Sequence, residues 1–122
     1  RIPNNQNELA EALSAIGIES VDFSLLTFKE QIAYMQNAKI IIGTSGAAFT
    51  NIMFATPGTK VICFMPKSFD TFSSFSNLAK IFKIELYYHF YITKAKANNH
   101  STNNFNINIT DVLSLYNKIS DE

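Results

Sequence analysis

The feature that most constrains this chain is an apolar, β-branched run that ends in a turn of small residues, AKIIIGTSGAAFTN at residues 38–51. Three successive isoleucines predict a strand with two apolar faces, and such a strand needs cover on both sides. A second run of this kind, VICF at residues 61–64, follows the turn Pro57-Gly58. Strands of this type are typical of parallel sheets layered between helices, so we predict an α/β domain.

Helical periodicity alternates with these strands along the chain. Predicted helices begin after Asn5, Thr27, Asp70 and Thr110, and a short helix covers residues 47–54. In the first two helices a glutamate follows the cap by three residues, the spacing of a capping box, and Gly17 ends the first helix. Predicted strands cover residues 18–23, 39–43, 60–64 and 84–92, and a polar, asparagine-rich loop covers residues 93–104. This alternation predicts one parallel sheet with helices on both faces.

Length and composition limit the functions that this chain can have. Its 122 residues suffice for one domain, and 47% of them are hydrophobic, enough for a core. Ten basic and ten acidic residues balance, so the charge indicates neither nucleic-acid binding nor a polybasic membrane contact. No apolar run approaches the ~20 residues of a membrane span. The one cysteine, Cys63, lies in an apolar run, so we expect a buried thiol in a reducing compartment.

The turn after the first apolar strand has the composition of an anion-binding seat. Gly43 lets the chain leave the strand sharply, Gly46 lets backbone approach a ligand, and Thr44 or Ser45 offers a hydroxyl. The following helix N-terminus presents free N–H groups and a positive dipole end. Asn51 lies one turn into that helix, where its carboxamide either contacts a ligand or holds the loop. The turn lacks the third glycine of a dinucleotide fingerprint and the lysine of a P-loop, so a tight packing turn remains an alternative.

The same letters also resemble the nucleophile elbow of a serine hydrolase. The sequence GTSGA at residues 43–47 nearly matches G-x-S-x-G, with alanine in the last place. A triad built on Ser45 would use Asp70 together with His89 or His100, which follow in the required order. The short chain, the position of His100 in the predicted loop and that of His89 within a predicted strand count against this interpretation.

Further segments extend the pattern around the turn. In chain order they are Arg1 with Asn7-Glu8, Leu26-Thr27-Phe28 with Glu30-Gln31-Ile32, residues 38–54, and Pro57-Gly58-Thr59 with Val61-Ile62 and Pro66. Together, over roughly residues 1–92, they resemble the family 61 glycosyltransferases, a group that includes bacterial capsular-polysaccharide transferases. Many members have histidine before Gly-Ala where this chain has Ser45, so any role of that histidine is absent here or is taken by a hydroxyl.

This resemblance implies the C-terminal, donor-binding half of a two-domain GT-B enzyme. Residues 1–122 would form one Rossmann-like, nucleotide-sugar-binding domain excised from a longer protein, whose N-terminal domain would be its partner. The enzyme would move a sugar from a nucleotide-sugar to a glycan or polysaccharide acceptor in the cytoplasm, and we expect no cofactor. The resemblance also implies no essential metal, and the sequence fits this, with no D-x-D and no cluster of histidines or carboxylates at metal spacing. A small α/β ligand-binding domain without catalysis is the alternative.

The resemblance also implies roles for individual residues. Arg1 would pair with the diphosphate, Glu30 would hold a ribose hydroxyl, and Lys67 would approach a phosphate. Glu30 is also explained by its capping position and Lys67 by ordinary solvation. The nucleotide would further contact the turn and its helix at Thr44, Ser45, Gly46, Ala47 and Asn51. The sequence identifies no general base, which in GT-B enzymes often comes from the other domain.

Overall fold

The computed structural model describes residues 2–44, 47–69, 74–92 and 105–121, with the backbone alone at residues 47–50, 69, 74, 75 and 78. These ranges contain the α-helices α1 (Gln6–Ser14), α2 (Phe28–Asn37), α3 (Ser74–Phe82) and α4 (Ile109–Ser120). The strands are β1 (Ile40–Thr44), β2 (Lys60–Pro66) and β3 (Glu85–Tyr91). Three 3-10 helices join them: η1 (Phe23–Leu25), η2 (Ala47–Phe54) and η3 (Lys67–Phe69). No helix in the described ranges combines the length and apolarity that membrane crossing requires.

The three described strands form one parallel sheet with the order β1-β2-β3. Across the sheet, Thr44 pairs with Phe64, and Phe64 pairs with His89. Strands β2 and β3 continue for two more residues, as far as the pair Pro66 and Tyr91. The parallel sheet predicted from the two-sided apolar runs is confirmed, and at its carboxyl edge β1 ends two residues before β2 and β3 do.

The central strand β2 divides the apolar core into two clusters, because successive side chains of a strand point to opposite faces. On the first face, Ile62 and Phe64 pack with α1, α4 and the segment leading into α4. On the second face, Val61, Cys63 and Met65 pack with η2 and α3. The predicted cover of helices on both faces is confirmed.

The strand predicted at residues 18–23 is wrong. Residues 18–22 form no strand, and residues 23–25 form η1. Asp22 accepts hydrogen bonds from the backbone N–H of Ser24 at 3.0 Å and from its hydroxyl at 2.6 Å. A side chain that binds nearby backbone offers the chain a local alternative to a sheet ladder, and here that alternative starts a 3-10 turn.

The predicted cap position Asn5 is confirmed but its side-chain capping bond is not, and the predicted cap Thr110 is wrong. Asn5 precedes α1 but makes no side-chain capping bond within the described residues. Its amide instead donates to the Ile107 carbonyl at 2.8 Å, and its oxygen accepts from the Ile107 N–H at 3.0 Å. At α4 the cap is Asn108, which accepts from the N–H of Asp111 at 3.1 Å, and Thr110 lies inside the helix. Asparagine at 108 competes successfully because its oxygen reaches the third N–H of the helix.

Other expectations about helix ends are confirmed. Thr27 and Glu30 form the predicted capping box at the start of α2. After α1 the chain turns at Gly17, whose φ of +88° lies in the left-handed region that glycine adopts most easily. The cap predicted at Asp70 and the loop predicted at residues 93–104 lie outside the described residues.

Candidate functional site

The elements that flank the predicted turn are β1 and η2, and β1 runs toward the carboxyl edge of the sheet. Strand β1 ends at Thr44, and η2 begins at Ala47. Thr44 pairs with Phe64, two residues before the end of β2, so the chain leaves β1 below the rim formed by the longer strands. Ligands of open parallel α/β sheets bind in crevices outside the carboxyl ends of the strands. The turn residues Ser45 and Gly46 lie outside the described residues, as does Arg1.

Asn51 connects η2 to α2. Its amide nitrogen Nδ2 donates to Oε1 of Gln31 at 2.9 Å. The amide group of Asn51 is therefore directed toward α2. This supports the interpretation that the side chain of Asn51 holds the loop. Contact between Asn51 and a ligand stays a prediction.

Gln31 lies in one of the segments that carry the family resemblance, but no role for it was predicted from the sequence. Its amide nitrogen Nε2 donates to the Phe23 carbonyl at 2.8 Å and lies 3.5 Å from the Leu26 carbonyl. Gln31 thus joins the connection before α2 to the helix that follows the candidate turn. The sequence feature that could have indicated a role for Gln31 is its position directly after the capping Glu30, on the first turn of a helix that begins at the ligand-binding edge.

Glu30 acts as the cap that its spacing predicted. Its carboxylate accepts from the backbone N–H of Thr27 at 2.9 Å, and its own N–H donates to the Thr27 hydroxyl at 3.2 Å. The backbone hydrogen bond, followed by the side-chain hydrogen bond with Thr27, lowers the pKa of Glu30. Capping is sufficient to explain an ionised glutamate here, and a bond to ribose stays a prediction.

Lys67 lies at the carboxyl edge, directly after β2, as predicted. Its Nζ atom lies 5.2 Å from the centre of the Phe90 ring, a distance typical of a cation–π contact. Phe90 belongs to β3, which flanks β2 on the side opposite to β1. The ammonium group is therefore directed away from the turn after β1, and a phosphate contact stays a prediction.

His89 lies within β3, in the same row as Phe64 and Thr44. Its ring meets the Phe64 ring edge-on at 5.8 Å between ring centres. Burial lowers the pKa of His89, and the Asp111 carboxylate opposes this shift. Adjacent strands lie ~4.8 Å apart, so the backbones of β1 and β3 are about 10 Å apart with β2 between them. The structure therefore does not bring His89 beside the end of β1, and the other proposed triad members, Asp70 and His100, lie outside the described residues.

The predicted buried cysteine is confirmed. Cys63 is fully buried in β2, and this burial raises the pKa of its thiol to about 12. Such a thiol is inert at neutral pH, because only the thiolate acts as a nucleophile or metal ligand. Within the described ranges no three histidine, cysteine or acidic side chains gather as a metal site.

Comparison with known families adds to this geometry. A family model described as Glycosyltransferase 61 matches residues 1–62, about half of the chain. The matched residues contain the candidate turn, the capping box of α2, Gln31 and Asn51. No curated protein and no solved structure gives a significant match. The family match covers the resembling segments as far as Ile62, Pro66 lies beyond it, and the chain belongs to the glycosyltransferase 61 family.

Proposed function

We propose that this chain is the donor-binding domain of a glycosyltransferase and that it holds a nucleotide-sugar at the turn between β1 and η2. The observation that supports the proposal is that β1, within the family-matched residues, ends at Thr44 toward the carboxyl edge of a parallel sheet, directly before the predicted turn. Sites of this kind favour phosphate groups, because the following helix N-terminus offers unpaired N–H donors and a positive dipole end.

The chemistry of glycosyl transfer gives this position a function. When the sugar leaves the nucleotide, negative charge develops on the diphosphate, and preorganised donors that stabilise this charge lower the barrier. In our proposal the backbone from Thr44 to Ala47 supplies these donors, together with the hydroxyl of Ser45. Arg1 pairs with the diphosphate through its guanidinium group, a geometry suited to phosphate oxygens.

The wider architecture is part of the same proposal. We assign the chain to the C-terminal half of a GT-B enzyme of bacterial capsular-polysaccharide type, acting in the cytoplasm without a metal. An N-terminal domain of the same protein supplies acceptor contacts and the general base. The parallel sheet with helical cover on both faces supports this assignment at the level of architecture.

Nucleotide titration followed by NMR tests the proposal. The purified chain is titrated with UDP, GDP, CDP and CMP, and the amide signals of residues 43–51 are followed. We expect saturable shifts in this segment with one nucleotide. If none of them produces a shift at millimolar concentration, the same titration of the full-length protein decides between a site completed by the other domain and a small α/β binding domain for another ligand.

Replacement of Ser45 separates glycosyl transfer from serine hydrolysis. Ser45→Ala removes one hydroxyl but leaves the backbone donors, so we expect about tenfold weaker nucleotide binding at most. A hydrolase that used this serine would lose its activity by several orders of magnitude. The matched control is Ser114→Ala, which changes an exposed serine of α4 and leaves binding unaltered.

A further inference from the structure

We infer that Gln31 is a positioning residue that orients the carboxamide of Asn51, so that the Asn51 oxygen accepts a hydrogen bond from a hydroxyl of the bound nucleotide-sugar. This inference rests on the proposed donor-binding function and refines it. It assigns Asn51 to a hydroxyl of the ribose or of the transferred sugar, and leaves the diphosphate to the backbone of the turn.

The orientation of Gln31 follows from the groups around its amide nitrogen. Nε2 lies 2.8 Å from the carbonyl oxygen of Phe23 and 3.5 Å from that of Leu26. Backbone carbonyls accept hydrogen bonds and never donate them. If the amide were reversed, Oε1 would face two other acceptors, so Nε2 must lie on this side and Oε1 on the other.

The orientation of Asn51 follows from that of Gln31. Oε1 of Gln31 is an acceptor, and the group that it meets at 2.9 Å is Nδ2 of Asn51. The carboxamide of Asn51 carries its oxygen and its nitrogen on the same carbon, Cγ. Because Nδ2 is used in the bond to Gln31, Oδ1 is the atom of this group that accepts from a ligand in our inference.

An oxygen in this position selects the type of ligand group that it meets. Oδ1 has two lone pairs and accepts from a hydroxyl, whereas the oxygens of an ionised diphosphate are acceptors and repel it. Asn51 is half-buried, so a mismatched partner costs more here than at an exposed site. A sugar or ribose hydroxyl therefore suits Asn51 better than a phosphate oxygen does.

The segment that anchors Gln31 has its own hydrogen bonds. The N–H of Leu26 donates to the Phe23 carbonyl at 3.1 Å, and Asp22 caps the first turn of η1. The two carbonyls that orient Gln31 are thus held before any ligand binds. This series of bonds extends from η1 through α2 to η2, and it holds Asn51 in place one helical turn after the candidate turn.

Binding measurements with three ligands test the inference. Wild-type protein is first titrated with UDP, GDP and CDP; the best of these is then compared with inorganic pyrophosphate and with its own glucose conjugate. For Asn51→Ala we expect about tenfold weaker binding of the nucleotide or of its glucose conjugate, and unchanged binding of pyrophosphate. A loss already seen with the nucleotide, and absent with its deoxyribose analogue, identifies a ribose hydroxyl, and a loss confined to the conjugate identifies a sugar hydroxyl. The control is Asn117→Ala, at an exposed position of α4.

A double mutant separates positioning from a general structural role. Gln31→Met keeps the side-chain volume but loses every bond of the amide, so we expect the same ligand selectivity as for Asn51→Ala. The double variant should bind no more weakly than Asn51→Ala alone, because Gln31 acts through Asn51. Gln36→Met, at an exposed position of the same helix, controls for methionine itself.

Four results would overturn the inference and leave the proposed function intact. Equal losses for pyrophosphate and nucleotide would show that Asn51 donates to the diphosphate, and no loss with any ligand would show that Asn51 makes no contact. Additive losses in the double variant would remove the positioning role of Gln31. If wild-type protein bound every deoxy analogue of the nucleotide and of its glucose conjugate as tightly as the parent ligand, a hydroxyl contact would be excluded. This comparison needs no variant protein. If wild-type protein binds none of the ligands, the proposed function fails first, and the inference fails with it.

Discussion

The two faces of the sheet are assembled in different ways. On the first face, Asn5 is bonded to Ile107 across 102 positions of the chain, and Lys60 donates to the Ile119 carbonyl across 59 positions. On the second face, Asn51 meets Gln31 and Thr56 meets Gln36 across only 20 positions. The face next to the candidate turn is therefore built from segments close in sequence, whereas the opposite face closes only when the last helix docks.

The family match reveals the same contrast in another way. It ends at Ile62, in the middle of the central strand β2. The matched residues contain the whole candidate turn, but the first-face cluster also needs Phe64, Tyr91, Val112 and Ile119. The segment that identifies the family is thus shorter than the segment that must fold together.

Core truncations should have the largest effects, and they test whether the faces respond separately. Ile119 and Ile52 are almost completely buried on the first and second face, so replacing either by alanine should cost about 2–5 kcal/mol of unfolding free energy. Urea unfolding measures this loss. Ile52→Ala should also shift the amide signals of the candidate turn in folded protein, and Ile119→Ala should not.

The control for these truncations is Ile81→Ala in α3, where the isoleucine is 70% exposed. We expect it to change the unfolding free energy by less than about 0.5 kcal/mol. If Ile119→Ala cost no more than this control, α4 would not be part of the core of the first face.

Loss of the Asn5 bonds should be the next largest effect. Asn5→Ala leaves the N–H and the carbonyl of Ile107 without these side-chain partners, and we expect a loss of about 1–3 kcal/mol. Asn4→Ala is the matched control, since the exposed side chain of Asn4 is removed while its backbone bond to Phe105 remains. Thermal melting of both variants decides the comparison, and equal melting temperatures would mean that this long-range connection adds nothing.

The exclusion of water from the second face should appear in the pH dependence of the unfolding free energy, through the buried thiol of Cys63. Burial raises the pKa of the folded thiol to about 12 from its ordinary value of 9.0. The protonated thiol is then favoured by folding, so its contribution is fully present below pH 9.0 and is lost as pH rises from there to about 12. At pH 10 the loss should be about 1 kcal/mol relative to pH 8. Urea unfolding of wild type and of Cys63→Ala at both pH values isolates this change. If the unfolding free energies of the two proteins depended on pH in the same way, water would reach the thiol in the folded protein.

The smallest expected effect concerns the cap of α2, the helix that carries Gln31. Thr27→Ala removes the hydroxyl that accepts from the Glu30 N–H, and we expect a loss of about 0.5–1 kcal/mol. Thr110→Ala is the control, because this threonine lies inside α4 and alanine is the better helix former there. A loss for Thr110→Ala as large as that for Thr27→Ala would contradict the assignment of caps made from the hydrogen bonds.

Local chemistry made much of the fold predictable. The strands β1 and β2 follow from apolar runs that only a covered parallel sheet accommodates. The capping box of Thr27 and Glu30 lies within one helical turn, so the spacing of the two residues in the sequence is enough to predict their contact. The prediction of a strand at residues 18–23 was wrong because Asp22 accepts a hydrogen bond from the N–H of Ser24. This short-range bond competes with sheet pairing.

The candidate site was predictable in position but not in its connections. A turn of small residues after a parallel strand marks the ligand-binding edge, and in the structure β1 ends directly before this turn and η2 begins directly after it. The role of Gln31 was not predictable, because its partners Phe23, Leu26 and Asn51 lie on both sides of it in the chain. No spacing rule indicates which of several polar neighbours will come within hydrogen-bonding distance.

The sequence by itself determined the class of sheet, the two-sided strands, the place of the candidate turn and the family. Only the tertiary structure decided that Asn5 bonds to Ile107 instead of capping α1, and that Asn51 faces Gln31. An asparagine carboxamide can bond to its own helix, to a neighbouring segment or to a ligand, and the local sequence is compatible with each of these. The choice depends on which donors and acceptors the folded chain brings within about 3 Å of it.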